Sequence, residues 1–197
     1  MPKVIDLDHL FHATVRVFSE RGYAAATTQE IASQAGVSEV TLYRRFGTKA
    51  KLVAAALSHV LAQAPLGRVE ASDDVRTDLA AIAKAYAETN RTYGAAVTTL
   101  MTDLPRHPEL RQAVPALLPN LQRAAAVIAT HQQRGALTPG DPLQKVVTLI
   151  APLLAEGLWR SMDAHVTPPP FAPEAVAEAF LQGHATASTR ARAWTPQ

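Results

Sequence analysis

A chain of 197 residues, of which 48% are apolar and 18% are charged, can bury a substantial core, and this composition excludes an intrinsically disordered protein. The sequence contains no cysteine, which excludes disulfide bonds, zinc sites with thiolate ligands and cysteine nucleophiles. The net charge is only +2, but the basic excess is local, because residues 1–52 carry seven Lys or Arg against five Asp or Glu and residues 53–197 carry twelve of each.

The first residues, Met1 to Asp8, contain no apolar run of the kind that forms a signal peptide, and no later segment is long and uncharged enough to span a membrane. We therefore expect a soluble protein of the cytoplasm. Almost every segment that follows predicts helix, since alanine and leucine are abundant and strand-like alternation is absent. The predicted fold class is all-α.

Four short helices are predicted in the first 63 residues, with boundaries set by N-cap residues and terminal glycines. The first spans residues 8–21. The predicted N-caps of the other three are Thr27, with Glu30 completing a capping box, Ser38 and Thr48. The glycines that close the first three helices are Gly22, Gly36 and Gly47, and the fourth helix extends towards Gln63.

Residues 64–72 contain Pro65 and Gly67 and are predicted to join this head to a larger helical body. The body helices are predicted at residues 73–91, 94–103, 109–134, 141–164 and 173–192. Prolines at 115 and 119 are expected to break the third of these, because an internal proline removes a helical hydrogen bond. Asp141 and Gln144 form a capping box at the start of the fourth.

The segment from Thr27 to Lys49 has the spacing of two helices that cross at a steep angle. Ala32 is small enough for the crossing point, and Gly36 tolerates the positive φ of a tight turn. The predicted small core of the pair is Ile31, Val37, Leu42 and Phe46. Glu39, Val40, Tyr43 and Arg44 then face outward, where a major groove can accept one helix. This spacing alone is also compatible with an ordinary helical hairpin.

A longer string of residues in register favours the DNA-binding interpretation. From Phe18 to Leu52 the sequence resembles the DNA-binding head of the tetracycline-repressor (TetR) family. The matching positions are Phe18, Gly22, Tyr23, Thr27, Thr28, Ile31, Ala32, Ala35 to Ser38, Thr41 to Tyr43, Phe46 to Lys49 and Leu52. The resemblance implies a helix-turn-helix domain at residues 1–52 and a helical ligand-binding and dimerisation domain at residues 53–197.

The resemblance also implies roles for individual side chains in the head. Thr28, Tyr43 and Lys49 would hold phosphates, which fixes register without selecting sequence. Arg44 is a candidate for bidentate contact with guanine and Gln29 for contact with adenine, while Glu39 could accept from cytosine or cap its own helix. The full predicted DNA-binding set is Thr28, Gln29, Ser38, Glu39, Val40, Thr41, Tyr43, Arg44, Arg45 and Lys49.

Two apolar stripes near the C-terminus predict a dimer interface, since proteins of this kind pair two heads on a near-palindromic operator. Two such helix pairs would form a four-helix bundle. The alternative is that both stripes pack within one subunit. The predicted interface residues are Val147, Ile150, Leu154, Leu158, Val176, Phe180, Gly183 and Ala187.

The middle helices are predicted to enclose a cavity for a small effector, where the proline breaks at 115 and 119 could open space, and the low charge here favours a mostly apolar molecule. The candidate contacts are large apolar side chains, and the alternative for each of them is plain core. The candidates are Tyr86, Tyr93, Met101, Leu117, Leu121, Ile128, Trp159 and Met162. His131 could supply a polar handle, although a surface position is the first expectation for it.

No catalytic chemistry is predicted. His9 and His12 share a helix face without a carboxylate or cysteine that would complete a metal site, and no phosphate-binding loop or nucleophile elbow is present. We expect no cofactor and no metal. The leading hypothesis is a nucleoid-associated repressor released by its ligand. Two others stay open: a structural, chromosome-binding dimer without a ligand, and a small helical enzyme or lipid carrier.

Overall fold

The computed structural model describes residues 5–161 and 169–189, and this part of the chain contains eight α-helices and a further helical stretch at residues 187–189, which confirms the all-α fold class. Their bounds are α1 (Leu7–Ala25), α2 (Thr28–Gln34), α3 (Glu39–Phe46), α4 (Lys49–Ala62), α5 (Val75–Asp103), α6 (Leu118–Gln133), α7 (Pro142–Ser161) and α8 (Pro173–His184). Two 3-10 helices, Pro65–Arg68 and Pro108–Leu117, lie between them. Over these residues no helix is both long enough and apolar enough to cross a membrane.

Hydrogen bonds confirm the predicted N-caps. The hydroxyl of Thr27 accepts from the N–H of Glu30 at 3.0 Å, and the hydroxyl of Thr48 accepts from the N–H of Lys51 at 3.2 Å. The carboxylate of Asp141 accepts from the N–H of Gln144 at 2.8 Å. Each cap satisfies an N–H group that has no partner inside its helix.

Three boundaries in the body differ from the prediction. Helix α5 continues through Gly94, because a glycine inside a helix costs only about 1 kcal/mol and the residues that follow it, Ala96 and Leu100, are buried in a core. Residues 108–117 form a 3-10 helix, and Pro119 lies in the first turn of α6, where its missing N–H costs nothing. Helix α8 ends at His184, because Ala185 forms an isolated antiparallel bridge with Leu137.

The chain divides into two compact units. The first comprises residues 5–63 and 93–119 of the described chain, and the second comprises residues 64–92, 120–161 and 169–189. The predicted domain boundary between residues 52 and 53 therefore falls inside α4, all of which belongs to the first unit. The assignment of DNA binding to residues 1–52 and of ligand binding and dimerisation to residues 53–197 stays a prediction.

The core of the first unit is built from α1, α4, the end of α5 and the second 3-10 helix. Leu10 and Phe18 of α1, Leu57 of α4 and Leu110 of the 3-10 helix are all fully buried in it. Burial of side chains of this size is the main stabilising contribution to a helical unit. The same cluster includes Ile31 and Leu42 of the two short helices, which are thereby fixed against the rest of the unit. A rigid base for α2 and α3 follows from this packing.

The second unit contains a buried polar pair inside its apolar core. The imidazole of His131 lies 2.6 Å from a carboxylate oxygen of Asp78, and both side chains are at most 5% exposed. The other contacts of that carboxylate are the N–H and the hydroxyl of Ser72, both at 2.7 Å. The first expectation of a surface position for His131 is therefore wrong. The pair joins α5, α6 and the segment before α5.

Candidate DNA interface

A glycine in the left-handed region forms the turn between α2 and α3. Gly36 has φ +65°, and the next residue, Val37, donates its N–H to the carbonyl of Ala32 at 3.0 Å. A Cβ at Gly36 would meet no atom within 4 Å, so the backbone angle and not the available space requires glycine here. The turn separates the end of α2 at Gln34 from the start of α3 at Glu39.

Ser38 fixes the start of α3. Its hydroxyl accepts from the N–H of Thr41 at 3.3 Å and lies 2.7 Å from the hydroxyl of Thr41. The cap of α3 is therefore made by Ser38, and Glu39 is not needed for it. Ser38 is exposed and Thr41 is half-buried. Both lie at the N-terminal end of α3, the end whose residues contact base edges when such a helix lies in the major groove.

Helix α3 has one buried side and one exposed side. Leu42 is only 2% exposed, whereas Val40 is 77% and Tyr43 is 67% exposed. Val40 and Tyr43 are three positions apart and therefore neighbours on the helix surface, where exposed side chains of this kind can form a contact surface. The exposed side also carries Arg44 and Arg45. The structure thus brings these four predicted DNA contacts to the same short helix.

The two arginines of α3 are available for a negatively charged partner. Within the described residues neither Arg44 nor Arg45 forms an ion pair or a hydrogen bond, and the guanidinium of Arg45 lies 5.9 Å from the ring of Phe46. Both lie in the last turn of α3, where a positive charge also suits the helix dipole. An unpaired guanidinium can bind a phosphate or a guanine edge through two parallel hydrogen bonds.

Helix α2 contributes the predicted contacts Thr28 and Gln29. Gln29 is exposed, and Thr28 donates its hydroxyl proton to a carboxylate oxygen of Glu39 at 2.5 Å. Glu39 therefore bonds across to the neighbouring helix, an arrangement that is neither of the two possibilities considered from the sequence. The first residues of α2 and α3 are linked side chain to side chain.

Lys49 is placed differently from the other predicted contacts. Its ammonium donates to the main-chain oxygens of Tyr23 at 2.5 Å and Ala26 at 2.9 Å, and it lies 4.2 Å from the centre of the Tyr23 ring. Burial disfavours the charged form and lowers the pKa of Lys49, against an opposing effect of Glu109. In this structure the side chain binds the end of α1 and does not lie on the exposed side of α3.

The sequence alone gave no signal for the residues that complete this region. A carboxylate oxygen of Asp103, at the end of α5, accepts from the N–H of Tyr23 at 2.6 Å. The ring of His107 lies 5.0 Å from the ring of Tyr23. Burial and the nearby carboxylate of Glu109 raise the pKa of Tyr23. Tyr23 and Asp103 are 80 positions apart in the sequence, and a local sequence pattern cannot predict that two such distant residues are in contact.

The predicted ligand contacts are divided between the two units. Tyr86, Leu121 and Ile128 belong to the second unit, and all three are part of its apolar cluster or pack against it. Trp159 also lies in the second unit and is 44% exposed. In the first unit are Tyr93, Met101 and Leu117, and Met162 lies outside the described residues. An open groove of about 220 Å³ beside Arg123 is lined by none of these side chains.

The predicted dimer contacts are also divided, by burial. Ile150, Val176 and Phe180 are at most 7% exposed and belong to the core of their own subunit. Among the other five, Leu154 is half-buried and the rest are exposed, namely Val147, Leu158, Gly183 and Ala187. The apolar stripe on α7 is wider than one face, so part of it packs inside the subunit.

Comparisons with known proteins cover both parts of the chain. The profile of bacterial regulatory proteins of the tetR family matches residues 10–56, and the profile of the tetracyclin repressor-like C-terminal domain matches residues 69–179. An uncharacterized HTH-type transcriptional regulator, YvkB of Bacillus subtilis (strain 168), is 45% identical over 49 residues, which is 25% of this chain and 26% of that protein. The match to this relative thus spans about a quarter of its length.

Solved structures share the fold over nearly the whole chain. A regulator from Mesorhizobium loti assigned to the TetR family has 18% identity over 91% of this chain and 97% of its own, with a TM-score of 0.71. A transcriptional regulator from Rhodococcus sp. Rha1 has 21% identity over 91% and 97%, with a TM-score of 0.66. The flavonoid-responsive regulator FrrA has 24% identity over 92% and 97%, with a TM-score of 0.64.

Proposed function

The chain belongs to the TetR family of bacterial regulatory proteins and is a DNA-binding transcriptional regulator, and from this premise we propose that it is a repressor released by a small, mostly apolar effector. The observation that carries the DNA-binding part is the exposed side of α3, where Val40, Tyr43 and Arg44 project from a helix fixed by the buried Leu42. We further propose that the protein has no catalytic activity and works in the cytoplasm at the nucleoid.

The proposed repressor is a homodimer. One helix-turn-helix head offers a small contact area, and two heads on a near-palindromic operator multiply the affinity and set the half-site spacing. On α7, exposed or half-buried apolar residues recur at positions 147, 151, 154 and 158, which is helical spacing on one side. On α8 the exposed residues Ala175, Ala179 and Gly183 are small and allow close approach of a partner helix. These two sides support a four-helix bundle between subunits.

The proposed effector is apolar with a polar group. Burial raises the pKa of Tyr86 to about 12, so its phenol is neutral at physiological pH. Within the described residues the hydroxyl of Tyr86 makes no hydrogen bond, which leaves it able to bind a polar atom of a ligand. A phenolic or other aromatic compound would suit this surrounding, and a flavonoid-responsive regulator is among the proteins of the same fold.

The experiment that tests the proposal has two steps. Selection from random duplexes identifies the bound DNA, and titration by fluorescence anisotropy then measures its affinity with and without each compound of an aromatic panel. We expect a near-palindromic operator and at least one compound that lowers operator affinity more than tenfold, with Tyr86→Phe weakening that response and leaving operator affinity unchanged. Binding without sequence preference, unaffected by the whole panel, would instead support a structural chromosome-binding dimer.

A further inference from the structure

A hydrogen bond between Thr28 and Glu39 joins the first residue of α2 to the first residue of α3. The hydroxyl of Thr28 donates to a carboxylate oxygen of Glu39 at 2.5 Å. A hydroxyl that donates to an ionised carboxylate makes a charge-assisted hydrogen bond, and here both side chains reach the protein surface.

This bond occupies the hydroxyl of Thr28, to which the family resemblance assigns a phosphate contact. A threonine hydroxyl carries a single proton, and a phosphate diester oxygen can only accept. While Glu39 accepts the proton of Thr28, a DNA phosphate cannot accept it as well. The negative carboxylate also repels a phosphate that approaches the same place. Carboxylate and phosphate thus compete for one donor.

Nothing else among the described residues holds the carboxylate of Glu39. The start of α3 is capped by Ser38, so the acid is not needed there. Among the described residues, Arg44 and Arg45, the two cations nearest to it in the sequence, form no ion pair with it. Glu39 is exposed and free to turn towards DNA once the bond to Thr28 breaks.

We propose that Glu39 determines specificity by withholding the hydroxyl of Thr28 from DNA that lacks the correct base. On such DNA the carboxylate stays on Thr28, and the phosphate contact of α2 is lost. At a cytosine, the amino group in the major groove donates to the carboxylate and draws it away, so Thr28 is released to bind a phosphate. The inference rests on the proposed role of Thr28 at the DNA interface. Glu39 thus contributes to specificity mainly by lowering the affinity for DNA that lacks the correct base.

The test compares four forms of the full-length protein: wild type, Glu39→Ala, Thr28→Val and the double variant. Each is titrated with the selected operator and with a duplex of scrambled sequence over a range of salt concentrations. For Glu39→Ala we expect about tenfold tighter binding to the scrambled duplex, the size of one hydrogen bond to a charged group. The regained contact should leave the slope of log affinity against log salt nearly unchanged, because a neutral hydroxyl neutralises no phosphate and releases no counterions.

The double variant separates this mechanism from a general loss of negative charge. In the presence of Thr28→Val, the Glu39→Ala change should tighten binding to the scrambled duplex much less than it does alone, because the hydroxyl is absent and only the repulsion by the carboxylate is removed. Glu20→Ala is the matched control, since Glu20 is an exposed acid on α1 of the same unit. The operator selected by Glu39→Ala should also lose the cytosine that the wild type prefers.

Three results would overturn the inference. The first is an equal gain in affinity from Glu39→Ala with and without Thr28→Val, which would show a purely electrostatic effect. The second is an unchanged affinity for the scrambled duplex while the wild type still selects an operator, in which case the inference fails and the proposed function stands. The third is a wild type that selects no sequence, which would overturn the inference and the proposed function together. Circular dichroism of each variant confirms that the helices are intact.

Discussion

The ammonium nitrogen of Lys49 lies 2.5 Å from the main-chain oxygen of Tyr23 and 2.9 Å from that of Ala26. Lys49 is the first residue of α4, and the two carbonyls lie at the end of α1, directly before the chain enters α2. Carbonyls at the end of a helix have no partner within it, and a positive charge there is stabilising. This contact therefore fixes the point from which the helix-turn-helix begins.

The contact predicts a stability role for Lys49. Lys49→Met should lower the free energy of unfolding by about 2 kcal/mol, because the carbonyls lose a charged donor. Binding to operator and scrambled duplexes should weaken together, since α2 is less well placed. Urea unfolding and anisotropy titrations measure the two effects, and Lys51→Met, an exposed lysine of the same helix, is the control. A salt slope reduced by about 0.9 with unchanged stability would instead show a direct phosphate contact.

The two adjacent arginines of α3 are predicted to differ in their effect on specificity. Arg44→Ala should cost about 2 kcal/mol on the selected operator and relax the preference at one base pair, because a bidentate guanine contact is lost. Arg45→Ala should weaken operator and scrambled duplexes equally and reduce the salt slope by about 0.9. Affinity measured on operators with single substitutions distinguishes them. A uniform loss for Arg44→Ala would assign that residue to the backbone instead.

Local structure in the first unit was predictable from the sequence, because it depends on contacts within about four residues. The caps at Thr27, Ser38 and Thr48 and the turn at Gly36 are features of this kind. The family resemblance covers the same region and added the roles of its exposed side chains.

Contacts between distant residues were not predictable in the same way. Asp103 meets Tyr23 across 80 positions, and His131 meets Asp78 across 53. Helical periodicity shows that a side of a helix is apolar, but it does not show what that side packs against. Two predictions were affected by this limit. Ile150 was predicted for the dimer interface but is buried in the core of its own subunit, and the predicted ligand contacts fall into two units.

The outward side of α7 is predicted to hold the dimer together. Val147 is 52% exposed, and Val147→Glu would place a charge in the proposed apolar interface. We expect a monomer by light scattering after size exclusion, with operator affinity reduced by at least a hundredfold and helix content retained. Leu118→Glu is the matched control, since Leu118 is 43% exposed and lies outside α7. A Val147→Glu protein that stays dimeric at micromolar concentration would place the interface elsewhere.

The buried pair of Asp78 and His131 predicts how stability depends on pH. Burial acts to raise the pKa of Asp78, but hydrogen bonds from Ser72 and His131 outweigh it and set that pKa below the usual 3.8. A carboxyl whose pKa is lower in the folded state stabilises the fold above its unfolded pKa, and the contribution is lost as the pH falls through the folded pKa. The acid limb of the stability curve should therefore depend on Asp78.

Asp78→Asn should lower the free energy of unfolding at neutral pH by about 3 kcal/mol, because it leaves buried groups without their charged partner. It should also flatten the loss of stability below about pH 4, since the residue no longer takes up a proton on unfolding. Urea unfolding at a series of pH values measures both effects. Asp73→Asn is the control, because the side chain of Asp73 is fully exposed and its removal should change stability by less than about 0.5 kcal/mol. If Asp78→Asn kept the steep acid limb of the wild type, another carboxyl would be responsible for it, and the pair would be a structural contact without a role in the pH dependence.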